Sequence, residues 1–362
     1  MLPAIPLCVE WLDIPVGKTS DDKDARGNYA AIGTMDPDIE IWDLDIVDCM
    51  YPNAILGAGG MPETEVGRKK KKKKKKGPKI NDDYHVNAVL ALTGNRQHRN
   101  LLASASADKT VKLWDLNTTK CAKSYQNHDD KICALAWHPK DATTLLSGSY
   151  DHTVVWADMR APDGKKPRWG VESDVEDVQW DPHDSNYFYV STENGVLHLH
   201  DTRTIPSSPA ASKPIWKLQA HDKSLSAFDV NPIIPGFLVT GSQDKTVKLW
   251  NTQTSTGGPS LVVSRDFDLG KIFSTRFAPD KEVGFRLAVA GSKGIVKVWD
   301  TSTNAGVRSA FANRVAAETM KDGSERIVGA AEDSSDGSEE DDDVAGEAAG
   351  DDPDGWESME EA

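Results

Sequence analysis

One repeated segment constrains the fold of this chain more than any other feature of its sequence. The segment consists of small or hydroxyl residues, a turn, and an alternating strand that ends in Trp-Asp or a variant of it. Its copies are "GTMDPDIEIWDL" to Leu44, "SASADKTVKLWDL" to Leu116, "SGSYDHTVVWADM" to Met159, "VSTENGVLHLHDT" to Thr202, "TGSQDKTVKLWNT" to Thr252 and "AGSKGIVKVWDT" to Thr301. Successive copies are 43 to 50 residues apart, except that about thirty extra residues lengthen the first interval. This spacing is typical of propeller blades with four strands each.

The residues inside each copy predict short β-strands. "VKLWD" alternates apolar and polar side chains, as a half-buried strand does. Upstream of it lie two β-forming runs, as in "LLSGS" (145–149) and, further upstream, "KICALAW" (131–137). A proline closely follows the further run, as Pro139 does here, which is expected where a strand ends. No segment of the body has helical periodicity, so we expect an all-β fold.

A histidine lies 23 residues before the aspartate in three copies: His85 before Asp108, His128 before Asp151, and His221 before Asp244. Together with the nearby hydroxyl residues, these side chains raise the alternative of a hydrolase site. An active site is normally built once, whereas this group recurs at a fixed offset. We therefore interpret it as a hydrogen-bonded set that stabilises each blade.

The Trp-Asp endings, the "GS-x-D" turns and the upstream histidines resemble the WD40 repeat family over roughly residues 5–312. The resemblance implies a β-propeller in which the His precedes the blade, the Asp lies in a turn, a Ser or Thr lies on the second strand and the Trp on the third. The residues assigned to these structural sets are His85, Ser104, Asp108, Trp114, His128, Ser147, Asp151, His221, Thr240, Asp244 and Trp250. Two copies are degenerate, with Asn194 and His200 replacing Asp and Trp in one and Lys293 replacing Asp in the other.

The number of blades is open at this stage. Six copies are recognisable, whereas seven blades are the commonest WD40 closure. The first copy begins almost at once, with strands expected at 6–12, 28–34 and 39–44, and the last ends near "GVRSAFA" (306–312). We expect a seventh blade that is incomplete because the N-terminus is truncated; a six-bladed ring is the alternative.

The net charge of −15 comes from one end of the chain. Residues 332–362 contain 15 acidic and no basic residues, and the rest of the chain is balanced. We therefore predict a propeller over 1–312, with a disordered basic insert at about 58–80, and an acidic, largely disordered tail over 313–362. The basic run consists of Arg68, Lys69, Lys70, Lys71, Lys72, Lys73, Lys74, Lys75 and Lys76.

Each charged segment has a bland and a functional interpretation. The basic run is a solvated loop by default, but it is also typical of a nuclear-localisation signal or of an arm that contacts RNA without sequence preference. The tail is a solubilising segment or a regulated contact with basic partners. Its Ser334, Ser335 and Ser338 lie among acids, and Ser338 resembles a site for an acid-directed kinase.

A second resemblance is more specific. "LCVEWLDIP", the stretch "GNYAAIGTMDPDIEIWDLDIVDCMYPNAILG" (27–57), the lysine-rich insert and "YFYVSTENGVLHLHDTR" (187–203) resemble the periodic tryptophan protein 1 family. This resemblance implies a nuclear and nucleolar protein that acts in large ribosomal subunit assembly and pre-rRNA processing. Its expected partners are ribosome-assembly proteins and pre-ribosomal particles. The alternative is a chromatin protein that binds histones and regulates transcription.

The remaining motifs predict no enzyme and no cofactor. "VGKTS" (16–20) lacks the first glycine of a phosphate-binding loop, and no nucleophile elbow is present. His198 and His200 share a strand face but have no third ligand at a suitable spacing, so we interpret them as packing residues. The four cysteines form no C-x-x-C pair, and no apolar run approaches 18 residues. We expect no metal, no small-molecule substrate and no membrane contact.

Overall fold

The computed structural model describes residues 2, 4–17, 26–58, 80–161, 164, 166–254, 257–314 and 326–329. In these residues, 24 strands form six four-stranded antiparallel sheets, and each sheet takes consecutive strands of the chain. Blades 1 to 3 contain β1 Pro6–Leu12, β2 Tyr29–Thr34, β3 Ile39–Asp43, β4 Ala54–Leu56, β5 Val89–Gly94, β6 Leu101–Ser106, β7 Val111–Asp115, β8 Lys120–Tyr125, β9 Ile132–Trp137, β10 Thr144–Ser149, β11 Thr153–Asp158 and β12 Arg168–Gly170. Blades 4 to 6 contain β13 Val175–Trp180, β14 Tyr187–Thr192, β15 Val196–Asp201, β16 Trp216–Gln219, β17 Ala227–Val230, β18 Phe237–Gly241, β19 Thr246–Asn251, β20 Ser260–Asp266, β21 Ile272–Phe277, β22 Arg286–Gly291, β23 Val296–Asp300 and β24 Arg326–Gly329. This architecture is the β-propeller that the repeat predicts, and the six recognisable copies form six blades.

The register of the strands is the same in every blade. In blade 2, Ser104 on the second strand lies opposite Lys112 on the third; in blade 5, Thr240 lies opposite Lys248. Five of the six first strands also contain a bulge near their start, as between Val89 and Ala91 in β5. Positions in different blades can therefore be compared one to one.

Neighbouring blades bury apolar side chains against each other. We call the side of a blade that points to the next blade its forward face, and the other side its backward face. Val111, on the forward face of blade 2, shares an apolar cluster with Ile132 and Leu145 of blade 3. Val247 of blade 5 likewise shares a cluster with Leu287 and Trp299 of blade 6. Because both faces are covered, the third strands β11 and β15 are buried at four and five of their six positions, which is more than simple alternation predicts.

The end of the propeller differs from the sequence prediction. The segment near 306–312, where the sequence predicts the end of the last copy and no helix, forms a short helix, α1, over Ala305–Phe311. The side chain of Asn304 accepts hydrogen bonds from the first helical N–H groups, and Val307 and Phe311, four residues apart, are buried on one face. The fourth strand of blade 6 is β24, so this sheet extends past the predicted boundary at residue 312.

Short 3-10 helices occur at Pro209–Ala211, Lys281–Val283, Thr301–Thr303 and Ala312–Arg314. Within the described part of the chain, none of the helices has the length and apolar character needed to cross a membrane.

Candidate functional site

The structure brings the predicted His, Ser, Asp and Trp of blade 2 into one connected set. The Nδ1 atom of His85 lies 2.9 Å from Asp108 Oδ2, and its Nε2 atom lies 2.7 Å from Ser104 Oγ. The indole N–H of Trp114 donates to the same Ser104 Oγ over 2.8 Å. The chain of contacts therefore runs from the turn, through the imidazole, to the centre of the sheet.

Blades 3 and 5 repeat this geometry. His128 lies 2.9 Å from Asp151 and 2.8 Å from Ser147. His221 lies 2.8 Å from Asp244 and 2.8 Å from Thr240 Oγ1, which also accepts the indole N–H of Trp250 over 2.9 Å. Blade 3 has Ala157 at the Trp position, so its set ends at the serine.

A threonine two residues after each Asp completes the sets, and the sequence analysis missed it. Thr110, Thr153 and Thr246 each donate a hydroxyl hydrogen bond to the Oδ1 atom of the preceding Asp, over 2.6, 2.5 and 2.7 Å. Their backbone N–H groups donate to the same oxygen. The recurring "DKT", "DHT" and "DKT" were the available signal.

Burial favours the neutral imidazole at His85 and His221, whereas hydrogen bonds keep the carboxyl groups of Asp108, Asp151 and Asp244 ionised. Burial lowers the pKa of His85 and of His221, although their aspartates oppose the shift. Burial alone would raise the pKa of Asp108, but hydrogen bonds from His85, Thr110 and the Val86 N–H outweigh it and lower the pKa to about 2. The His85 and Asp108 side chains are almost fully enclosed. A group without solvent access satisfies polar atoms of the fold and offers no place for a substrate.

A lysine column is a second repeated feature. Lys112 is fully buried, and its ammonium group donates to the carbonyl of Asn81 and to Ser124 Oγ. At the same position, Lys248 donates to the carbonyl of Ala220 over 2.8 Å, and Lys297 donates to the carbonyl of Phe267 over 2.7 Å. Each lysine therefore caps the loop that enters its blade.

Blades 4 and 6 have different interiors. In blade 4, Val190 replaces the hydroxyl residue, and His200 stacks on Phe188 with ring centroids 5.3 Å apart. Among the described residues, neither ring nitrogen of His200 has a hydrogen-bond partner. In blade 6, Val289 occupies the hydroxyl position, and the Trp299 indole N–H has no acceptor within the described part of the chain.

A cavity of about 350 Å³ lies between the first strands of the blades. Glu10, Arg96, Asp177 and Arg276 contribute its charged lining. Arg96 lies 2.9 Å from Glu10, and the Asp177 carboxylate accepts a hydrogen bond from the N–H of Val178. Burial raises the pKa of Asp177 to about 6. The cavity therefore has charge of both signs in its lining.

The structure places the other predicted residues less informatively. His198 and His200 stack with ring centroids 6.0 Å apart, and across the described residues no group of three or more His, Cys, Asp or Glu is placed to hold a metal. The basic run Arg68–Lys76 and the tail serines Ser334, Ser335 and Ser338 lie outside the described residues.

Comparison with known proteins links these features to a family. The family model "WD domain, G-beta repeat" matches residues 82–115, 119–156 and 212–251. An uncharacterised WD repeat-containing protein of Schizosaccharomyces pombe is 51% identical over 93% of this chain and 62% of its own length. Periodic tryptophan protein 1 of Saccharomyces cerevisiae is 41% identical over 86% of this chain and 54% of its length, and a Drosophila melanogaster homolog of it is 33% identical over 81% and 58%. The chain thus spans between about half and three-fifths of the length of these curated relatives.

Proposed function

This chain is a WD40-repeat homologue of the periodic tryptophan protein 1 proteins, and we propose that it is a non-catalytic scaffold in large ribosomal subunit assembly and pre-rRNA processing in the nucleolus. The observation that carries the proposal is the similarity to those proteins over more than four fifths of the chain. The resemblance to that family implies this role.

The geometry supports a scaffold rather than an enzyme. The His–Asp contacts that recur in blades 2, 3 and 5 have fully buried imidazoles, and they connect the turn of each blade to its sheet. A propeller offers a channel, two rims and an outer wall, so that several partners can bind at once. Such surfaces suit the ordering of many proteins on a precursor particle.

The two charged segments suit nuclear import and electrostatic contact with partners. The basic run Arg68–Lys76 fits nuclear import, and it also fits phosphate contacts that depend on salt and not on base sequence. The acidic tail fits basic partners such as ribosomal proteins, and phosphorylation of Ser334, Ser335 or Ser338 would strengthen its negative charge.

Affinity purification of the tagged chain from nuclear extract tests the role. We expect precursors of the large subunit and their rRNA to co-purify. Recovery of nucleosomes without pre-ribosomal particles would contradict the proposal and favour the chromatin alternative. Recovery of neither, with a folded and correctly localised protein, would also contradict it.

A charge variant separates localisation from assembly. Replacing all eight lysines at 69–76 by glutamine is expected to reduce nuclear accumulation, because the import signal is removed. If the basic run acts only as a nuclear-localisation signal, an appended heterologous import signal should restore both import and pre-ribosome binding. If the imported variant still binds pre-ribosomes more weakly than the parent, and the difference in binding is largest at low salt, the lysines contact RNA.

A further inference from the structure

The loop between β3 and β4, which we call the blade 1 loop (residues 44–53), exposes a cluster of apolar side chains. Val47, Met50 and Tyr51 are 85%, 81% and 75% exposed, which are the highest values among the large apolar residues that the structure describes. Ile46, in the same loop, is 54% exposed. Four such side chains within six residues form one apolar feature of the surface, and not a set of scattered exposed residues.

The same turn follows the third strand of every blade, so that loop positions can be compared between blades. In blade 1, the backbone N–H of Asp45 donates to the Oδ1 atom of Asp43, two residues earlier. The equivalent hydrogen bond occurs after the other five third strands. Positions 46 and 47 of blade 1 therefore correspond to positions 118 and 119 of blade 2.

Threonine occupies the position of Ile46 in blades 2, 4 and 6, where it stabilises the turn. The hydroxyl groups of Thr118, Thr204 and Thr303 donate to the Asp three residues earlier, over 2.9, 2.9 and 2.6 Å. Ile46 cannot make this hydrogen bond. Its exposure is a property of the position, because Thr118 and Thr204 are exposed as well. A side chain that neither supports its turn nor joins a core indicates a role outside the fold.

Hydrogen bonds hold the blade 1 loop at both ends. The N–H of Leu44 donates to the carbonyl of Asn28 over 2.8 Å, and the Asn28 side-chain amide donates to Asp45 Oδ1 over 2.8 Å. At the other end, the N–H of Asn53 donates to the carbonyl of Ile41 over 2.7 Å. A loop that is already held at its ends loses less conformational entropy when it binds, so it suits insertion into a partner.

The charge of the blade 1 loop indicates the kind of partner. Asp45 and Asp48 are exposed among its apolar side chains, and residues 44–53 contain no lysine or arginine. Negative charge repels the phosphates of RNA, so this loop does not suit a nucleic acid. The complementary surface is an apolar groove with basic side chains at its border, which a protein provides.

We propose that the blade 1 loop inserts Ile46, Val47 and Met50 into an apolar groove of a partner protein, whose lysine or arginine side chains border the groove opposite Asp45 and Asp48. Apolar side chains that become fully desolvated in a pocket supply most of the binding energy of an interface. The opposite charges at the border orient the two proteins and speed their association. This proposal goes beyond the scaffold role and does not depend on it.

Photo-crosslinking locates the surface that the loop contacts. In the tagged full chain, p-benzoylphenylalanine replaces Val47 in one form and Thr119, at the equivalent position of blade 2, in the control form. Both forms are irradiated in nuclear extract, and the crosslinked peptides are identified by mass spectrometry. We expect position 47 to crosslink to one protein, at residues that line an apolar groove bordered by lysine or arginine. Position 119 should not crosslink to that protein.

Reciprocal substitutions separate binding from stability. Ile46→Thr supplies the hydroxyl that other blades use; combined with Val47→Ser, it should reduce recovery of the crosslinked protein about tenfold, at an equal or higher melting temperature. Thr118→Ile removes the corresponding hydrogen bond of blade 2, so it should lower the melting temperature and leave recovery unchanged. Asp48→Lys should reduce recovery about threefold at low salt and by less at high salt.

Several results would overturn the proposal. A crosslink from position 47 to RNA, to a second copy of this chain, or to a polar or acidic protein surface would assign the loop a different occupant. If position 47 gives no crosslink that position 119 lacks, the loop is not a dedicated contact. Unchanged recovery after the double substitution would place the contact elsewhere. Co-purification of pre-ribosomal particles tests the proposed function separately, because none of these readouts requires those particles.

Discussion

Blades 2 and 4 have the same strand order and register but different interiors. In blade 2, the set of His85, Ser104, Asp108 and Trp114 connects the turn to the sheet by hydrogen bonds. In blade 4, the equivalent region contains a stack of His200 on Phe188, and the nitrogens of His200 have no partners.

The comparison separates what forms a blade from what stabilises it. Both blades pair their strands through the backbone and bury apolar residues on both faces, so the hydrogen-bonded set is not required for the sheet to form. The set instead satisfies polar groups that burial would leave unpaired. In blade 4, which lacks the set, the unpaired nitrogens of His200 reduce the free energy of unfolding. We expect the two blades to respond differently to mutation and to acid.

The largest effect is expected from removing the aspartate of blade 2. Asp108→Ala leaves the His85 imidazole, the Thr110 hydroxyl and the Val86 N–H without their acceptor. The free energy of unfolding should fall by about 3 kcal/mol, measured by urea denaturation. Asp130→Ala, which removes a half-exposed carboxylate beside Lys109, should change it by less than about 0.5 kcal/mol. Equal effects of the two substitutions would refute a stabilising role for the set.

Mild acid is expected to weaken blade 4, which contains two buried histidines with a lowered pKa, more than blade 2, in which His85 is the one such histidine among the described residues. Burial lowers the pKa of His200 to about 3 and that of His198 to about 4, whereas an unfolded histidine has a pKa of about 6.5. The unfolded chain therefore binds protons that the folded chain does not, so stability is complete above pH 6.5 and declines as the pH falls, by about 2 kcal/mol per imidazole at pH 5. Asp108, with its pKa lowered to about 2, contributes stability that is present above about pH 4 and is lost only as the pH falls through 2.

The histidine can be tested by comparing unfolding at pH 7.5 and pH 5.0. His200→Phe should remove about 2 kcal/mol of the stability difference between the two pH values, because phenylalanine does not titrate and can still stack on Phe188. His98→Phe, at an exposed position, is the matched control and should leave the difference unchanged. The interpretation is wrong if the two variants keep the same pH dependence.

Blade 6 allows the hydroxyl to be added rather than removed. Val289→Thr places a hydroxyl where Trp299 lacks an acceptor, as Thr240 accepts from Trp250. We expect its stability to stay within about 0.5 kcal/mol of the parent, since the new bond offsets the burial of a polar group. Val239→Thr, at a buried position of blade 5 with no indole to satisfy, should cost about 1 to 2 kcal/mol. Thermal unfolding of the two variants decides the comparison.

The smallest effect is expected in the turns. Lys245 of blade 5 has φ of 76°, and Gly294 of blade 6 has φ of 75° at the equivalent turn position. Lys245→Gly should therefore be neutral or stabilising by up to about 1 kcal/mol, because only glycine adopts this conformation without strain. Gly294→Ala should cost about 1 kcal/mol, and a Cβ there meets no atom within 4 Å, so the cost isolates the backbone. Identical melting temperatures for both variants would contradict this account.

Much of the fold could be predicted because each blade corresponds to one copy of a sequence repeat. The alternation in "VKLWD" and the 23-residue offset between His128 and Asp151 are local regularities, and local regularities are visible in a sequence. The helix over Ala305–Phe311 and the strand β24 were not predicted, because one short amphipathic turn and four exposed residues carry almost no periodic signal. The threonine of each set was not predicted, because its hydrogen bond to the Asp two residues earlier depends on the conformation of the turn between them.

The sequence by itself determined the blade unit and its strand order, and it indicated the His, Asp and Trp of the buried hydrogen-bonded set but not its threonine, because the indicated features depend on spacing that recurs along one chain. Only the tertiary structure decided which side of each strand meets which neighbour. It showed that Val9 and Val296 are exposed, whereas Leu92 and Val111, which occupy the same two positions in blade 2, are buried. A strand reads the same in sequence whether its apolar face is covered or open, since coverage depends on where distant segments lie in space.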